Sequence, residues 1–209
     1  MSLSEFAYAQ ARLQARHGRG PGASVWQALE GSHTAAHYLA LARAGPLAPW
    51  VEGLDEAGDV HRVERHLQLR WRRLVSEVAD WLPPRWQPAA TWFGTLTALP
   101  LGDDARSGGR VAANWLEQWH RLLPADAGDR ALLRQPAELL LPRLAGASGG
   151  RRAAVESERR ALLKLFRRRA GTAVAVFAYL ALVALDVERL RGGLVVRTLF
   201  EPAPEPQES

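Results

Sequence analysis

The 209-residue chain is 47% hydrophobic and 23% charged, with eight tryptophans, a composition that supports a packed globular core and excludes a disordered chain. It holds no cysteine, which removes disulfides, thiolate catalysis and Cys-based zinc sites together. Its formal net charge of +5 is carried almost wholly by arginine, Lys164 being the only lysine, so charge alone leaves acidic protein surfaces, nucleic acid and anionic lipid all open as partners.

The first segment, about Ser4 to Arg16, reads as a helix with Phe6 and Leu13 two turns apart and Tyr8, Arg12 and Arg16 stacked four residues apart. Gly18, Gly20, Pro21 and Gly22 end it. Short helices follow over Ser24 to Glu30 and Ser32 to Ala44, with Ser32 as the expected N-cap and Gly45-Pro46 as the stop.

The clearest periodicity runs from Val60 to Trp81. Val60, Val63, Leu67, Trp71, Leu74, Val78 and Trp81 form an apolar seam, arginines and glutamates fill the other turns, and Pro83-Pro84 stops the helix. Trp86 to Leu99 predicts another helix. Gly102 to Gly109 reads as a polar connection, and Val111 to Leu123 as a helix with Trp115 and Trp119 on its apolar stripe. Leucine-rich Ala131 to Leu144 is expected to be divided by Pro136 and Pro142. A basic helix over Arg151 to Ala170 then leads through Gly171 into an apolar helix from Thr172 to Arg191. Only Leu194 to Phe200 has the character of a strand.

These elements predict an all-α fold of about eight helices in one domain over residues 1–200. Flexible loops are expected near 102–110 and 145–151, and the Pro- and Glu-rich tail 201–209 is expected to be disordered. The opening residues lack the basic and apolar regions of a signal peptide. The apolar run Thr172 to Leu185 falls short of the roughly 20 residues that cross a bilayer.

No catalytic constellation emerges. His33 and His37 have the i, i+4 spacing of a metal pair but no third ligand, and Asp103-Asp104 lies in a Gly-rich turn without further oxygen ligands, so no metal or cofactor is expected. Two basic stretches, Arg62 to Arg73 and Arg151 to Arg169, could track phosphates. Trp71, Trp81, Trp115 and Trp119 fall on apolar stripes, however, which favours packing over base stacking and a solvated or protein-facing surface over nucleic acid.

The two ends carry the remaining information. Tyr8-Ala-Gln-Ala-Arg12-Leu-Gln-Ala-Arg16 near the start, and Ala178-Tyr179-Leu180-Ala-Leu-Val183-Ala184-Leu-Asp186-Val187-Glu188-Arg189-Leu190-Arg191 near the finish, together resemble the C/d subunit family of V-type and A-type rotary ATPases. The second stretch is similar, without a gap, to the family pattern Ala-Tyr-Leu-Leu-Ala-Lys-Glu-x-Glu-Ile-x-Asn-Leu-Arg. Val183-Ala184 stands where the family has Lys-Glu, Arg189 where it has Asn, and Gly192-Gly193 where its helix is usually apolar and continuous. The chain is also shorter than the usual member.

The resemblance implies a reduced form of that family's funnel-like helical fold, with the N- and C-terminal helices packed near each other. It implies a non-enzymatic part that couples the central stalk to the membrane rotor ring during proton or sodium transport, at the cytoplasmic face, touching the membrane only through partner subunits and using no small-molecule substrate. On that reading Tyr8, Arg12, Arg16, Tyr179, Asp186, Glu188 and Arg191 tie the end helices together or line the partner surface. A divergent relative acting as a helical interaction scaffold, and a basic nucleic-acid-binding module, are the alternatives.

Overall fold

The computed structural model describes residues 5–55, 59–98, 105–128, 130–144 and 152–200. Among these residues the protein is all-α, with ten α-helices, nine of them seven residues or longer, and no strand. The expected tail 201–209 and loop 145–151 lie outside the described residues, as do positions 102–104 of the expected 102–110 connection. The chain falls into two compact units, one formed by Met1–Gly18 and Trp71–Leu185, the other by Arg19–Arg70 and Asp186–Ser209.

The first unit is organised by the opening half of α10 (Ala173–Phe200), whose residues Ala173 to Leu182 are all buried. A helix that is apolar on every side must be enclosed. α1 (Ala7–Gly18), α8 (Arg130–Leu144) and α9 (Arg152–Arg168) contact α10, so the first and last helices do pack together. Phe177 of α10 lies in a cluster of rings, 4.9 Å from Trp119, 5.3 Å from Phe93 and 6.4 Å from Trp86.

The rings of that cluster come from α6 (Gln87–Phe93), the 3-10 turn Pro84–Trp86 before it, and α7 (Ala105–Leu122). Three indole N–H groups of this unit are bonded locally: Trp119 donates to the Ala89 carbonyl (3.0 Å), Trp71 to the Gly94 carbonyl (2.7 Å), and Trp115 to the Thr95 hydroxyl (2.8 Å), whereas the buried Trp86 Nε1 has no acceptor among the described residues. A buried Trp usually finds such an acceptor. These tryptophans are therefore held as core, as their apolar stripes indicate.

Several boundaries differ from the sequence expectation. α8 runs unbroken through both Pro136 and Pro142, because Leu133, Ala137, Leu140 and Leu141 are all buried and their packing outweighs the roughly 3 kcal/mol that an interior proline costs. α7 begins at Ala105, inside the segment expected to be a connection. In α5 (Val60–Asp80) the buried residues along the seam are Val63, Leu67, Trp71, Val75 and Val78, whereas Val60, Leu74 and, just past the helix, Trp81 are only half-buried.

α9 is closed by Gly171, whose φ of +77° is the left-handed conformation that glycine adopts without strain. Its N–H is accepted by the Gln10 side chain of α1 at 3.0 Å, which joins the first helix to the turn that launches the last.

The second unit contains α2 (Ala23–Glu30), α3 (Ala35–Arg43), α4 (Ala48–Val51), the first half of α5 and the closing part of α10. Thr34, not Ser32, caps α3, its hydroxyl accepting from the His37 N–H at 3.2 Å. Ser32 is buried in the turn before it and donates to the Leu29 carbonyl at 2.7 Å. His33 consequently precedes α3 while His37 lies on it, so the two do not share a helical face.

Leu194 to Phe200 is helical and not a strand. Arg197 explains why. Its guanidinium donates to Gly193 O one turn back (2.9 Å), to Ser32 O (2.7 Å) and to Leu29 O (3.2 Å), and it lies over the Tyr38 ring at 4.4 Å. One side chain thus satisfies carbonyls left over at the C-terminal end of α2 and fixes α10 against α3. Burial pushes the Tyr38 hydroxyl up to about 12, beyond any charge change near neutral pH.

The adjacent glycines of α10 play opposite roles. A Cβ at Gly193 would lie 2.6 Å from Tyr38 Cζ and closer still to its hydroxyl, whereas a Cβ at Gly192 would meet nothing within 4 Å. Gly193→Ala should therefore destabilise the protein by about 1–3 kcal/mol through overpacking, and Gly192→Ala should stabilise it by about 0.5–1 kcal/mol through helix propensity. Urea denaturation of the two variants beside the parent measures both signs.

Candidate functional site

Of the seven residues singled out at the two ends, Tyr8, Arg12, Arg16 and Tyr179 belong to the first unit, and Asp186, Glu188 and Arg191 to the second. They divide into a ladder on α1, a core tyrosine, and a charged cluster in the closing part of α10.

On α1 the spacing of four places Tyr8, Arg12 and Arg16 along one face. The Arg12 guanidinium lies 4.9 Å from the Tyr8 ring centre and 5.2 Å from that of Trp81, just beyond α5. Arg16 lies over the other part of the stack, 4.8 Å from Trp81, and its guanidinium pairs with the Glu77 carboxylate of α5. Tyr8 is 58% exposed, so the ladder reaches solvent at its outer end. The arginines of α1 therefore face the end of α5, and the contact with the α10 region is made by Gln10 at Gly171.

Tyr179 sits in the core of the first unit, 3% exposed, with its ring 6.1 Å from Phe166 of α9. Such a side chain supports packing and offers no surface to a partner. In the second unit Arg191 is held between two carboxylates, at 2.8 Å from Glu188 and 2.6 Å from Glu64 of α5. Burial works against its charge, but Glu188 and Glu64 outweigh it and raise the Arg191 pKa above its ordinary value. Asp186 is half-buried a turn before this group.

Two residues beside that cluster escaped the sequence reading. Arg189, at the position where the resembled pattern has Asn, lies 4.5 Å over the Trp26 ring and bonds Glu30 from its Nε at 3.1 Å. Arg197 lay in the segment expected to be a strand, where the periodicity of a helix face could not be applied to it. The only available signal for either was the run of arginines at 189, 191 and 197 continuing the helix beyond Asp186.

Chemically, these groups are paired donors and acceptors on aromatic supports. They are suited to fixing helices and to offering a polar, ring-flanked surface to another protein. Among the described residues no group of three or more His, Asp or Glu side chains converges as a metal site, and no helix is long and apolar enough to cross a membrane. No protein-family model, no curated protein and no solved structure matches the chain.

The α1 ladder has a measurable energetic signature. With side chains 31% and 43% exposed, the Arg16–Glu77 pair is screened, so Arg16→Ala should cost only about 1 kcal/mol, shared between the ion pair and the contact with Trp81. A double-mutant cycle with Glu77→Gln should leave about half of that loss as coupling.

His17, on the last turn of α1, provides a pH signature. Its ring packs edge-on against Phe166 at 5.0 Å, and burial, followed by the Arg159 and Arg167 charges, lowers its pKa from 6.5. The unfolded chain then binds the proton more readily than the folded one. The contribution of His17 to stability is thus complete above pH 6.5 and is lost as pH falls through the lowered value. Thermal midpoints from pH 7.5 down to about 5 should fall less steeply for His17→Gln than for the parent.

Proposed function

We propose that this protein is a non-catalytic helical coupling subunit of a V-type or A-type rotary ATPase, in which it seats the central stalk on the membrane rotor ring during proton or sodium transport. The observation that carries the reading is the joint placement of the two resembling sequences. They lie on α1 and α10, the first and last helices, and these two helices contact each other.

The closing pattern, Ala178 to Arg191, falls within a single helix that continues through Gly192-Gly193 to Phe200. This supports a family-like rigid C-terminal helix in spite of the glycines. A torque-bearing coupler needs packed helices cross-tied by polar pairs. The Arg16–Glu77 and Arg191–Glu64 pairs and the Arg197 bonds to the Leu29–Ser32 turn are ties of that type. In this reading the fold is a reduced form of the family's funnel.

A second reading has its own observation. Ala184 is fully buried, at a position where the resembled pattern carries the Glu of its Lys-Glu pair. A chain that has turned that site into core favours a divergent scaffold that keeps the helices and has lost the motor contacts.

Purification of the affinity-tagged chain from detergent-solubilised membranes of its source separates the two. The coupler reading expects rotor-ring and central-stalk subunits in one assembly with it, recognised by mass spectrometry. Recovery of the tagged chain wholly in the soluble fraction, without those subunits, favours the scaffold.

A further inference from the structure

α9 carries a charged face that no carboxylate neutralises among the described residues; Arg160 Nε donates to the Glu156 carbonyl of the same helix, at 3.3 Å. Arg160, Lys164, Arg167 and Arg168 are all exposed, and their spacing of four, seven and eight residues places them on one side of the helix. The stripe is about 12 Å long at ~1.5 Å per residue. None of the four makes an ion pair among the described residues, in contrast to Arg16, Arg62, Arg70, Arg85, Arg189 and Arg191, each of which holds a carboxylate. Arg169, exposed just past the helix, extends the positive charge, and no acidic residue occurs between Arg159 and Thr172. Glu156 is exposed one turn earlier and marks the stripe's N-terminal limit.

We infer that this stripe is an electrostatic contact surface for an anionic lipid bilayer. A protein partner of ordinary kind is a poorer fit, because interface centres rely on aromatic and apolar anchors and are depleted in charge. This face offers none: Leu162 and Phe166 of the same helix are buried. Single-stranded nucleic acid is a poorer fit too, since such sites set exposed rings beside the cations for base stacking. The rings nearest this helix, Phe166 and Tyr179, are each 3% exposed. A row of solvated cations without anchors suits a surface whose charges diffuse to meet it, as lipid headgroups do. The contact is adsorption and not insertion, so it depends steeply on salt. It belongs to the isolated chain and does not depend on membership of a rotary motor.

Co-sedimentation of the full chain with vesicles tests the inference. Vesicles of phosphatidylcholine with about one third phosphatidylglycerol should bind the protein at low salt and release it at high salt, and pure phosphatidylcholine vesicles should not bind it. Lys164→Gln/Arg168→Gln should weaken binding about 25-fold, roughly fivefold per cation. Arg72→Gln/Arg73→Gln, which removes the same net charge from exposed positions of α5, should weaken it far less. Unchanged thermal midpoints establish that both variants are folded. Absence of binding to the anionic vesicles at low salt overturns the inference, as does an equal loss in the two double variants. Tighter binding to a short single-stranded DNA, lost through the same Lys164 and Arg168 substitutions, also overturns it and reassigns the stripe to nucleic acid. Failure of vesicle binding leaves the coupling-subunit reading standing, because that rests on co-purification with partner subunits.

Discussion

The first unit depends on the burial of an apolar helix that has no outward face. From Ala173 to Leu182 every residue of α10 is removed from water, including the positions on opposite sides of the helix. An amphipathic helix needs one neighbour, but this one needs neighbours all round, and α1, α8 and α9 provide contacts to it. Large rings fill the space beside Phe177, and the indole N–H groups of Trp119, Trp71 and Trp115 in this unit turn to carbonyls and a hydroxyl of the short segment from Ala89 to Thr95. Hydrophobic enclosure and hydrogen-bond satisfaction thus fall on the same few residues, so loss of one ring exposes a cavity and strands a polar group together. The left-handed Gly171 and the bond its N–H donates to Gln10 set where this enclosed helix begins.

Past Asp186 the same helix changes character, and the constraint changes with it. Apolar positions become intermittent, and arginines take over the contacts: Arg189 to Trp26 and Glu30, Arg191 to Glu64, Arg197 to the turn after α2. Gly193 belongs to this arrangement because Tyr38 comes too close for a side chain there. A glycine pair in mid-helix, which by propensity alone weakens a helix, is therefore explained at one position by packing. At Gly192 nothing in the structure requires it.

How much of this was legible follows from the range of the forces concerned. The α5 and α7 stripes could be read because amphipathic burial repeats within a few turns, and the enclosed run of α10 because composition alone sets it apart. Ladder spacing on α1 was equally plain. Its partners were not: Glu77 and Trp81 are more than sixty residues from Arg16, and nothing local in either segment announces the meeting. Leu194 to Phe200 misled because Val195, Val196 and Thr198 favour strands, whereas Arg197 commits the segment to helix through bonds to residues more than 160 positions away. Pro136 misled in the opposite sense, since local propensity cannot register the buried leucines on either side of it.

Arginine dominance in the composition conceals two different uses of the residue. Where guanidinium groups lie on rings or between carboxylates, as at Arg12, Arg16, Arg189 and Arg191, or reach several carbonyls, as at Arg197, their planar geometry does what a lysine could not, joining helices through two or more directions at once. The α9 stripe requires only positive charge, and it is there that the chain's single lysine, Lys164, occurs. A solvated cation under no geometric demand can be either residue; a cross-tie cannot. The arginine count therefore overstates the basic surface on offer to a partner, because many of the guanidinium groups are already engaged inside each unit. Along α9 exposed cations with no ion pair among the described residues succeed one another on one side, where their charge can act at a distance that the paired arginines cannot.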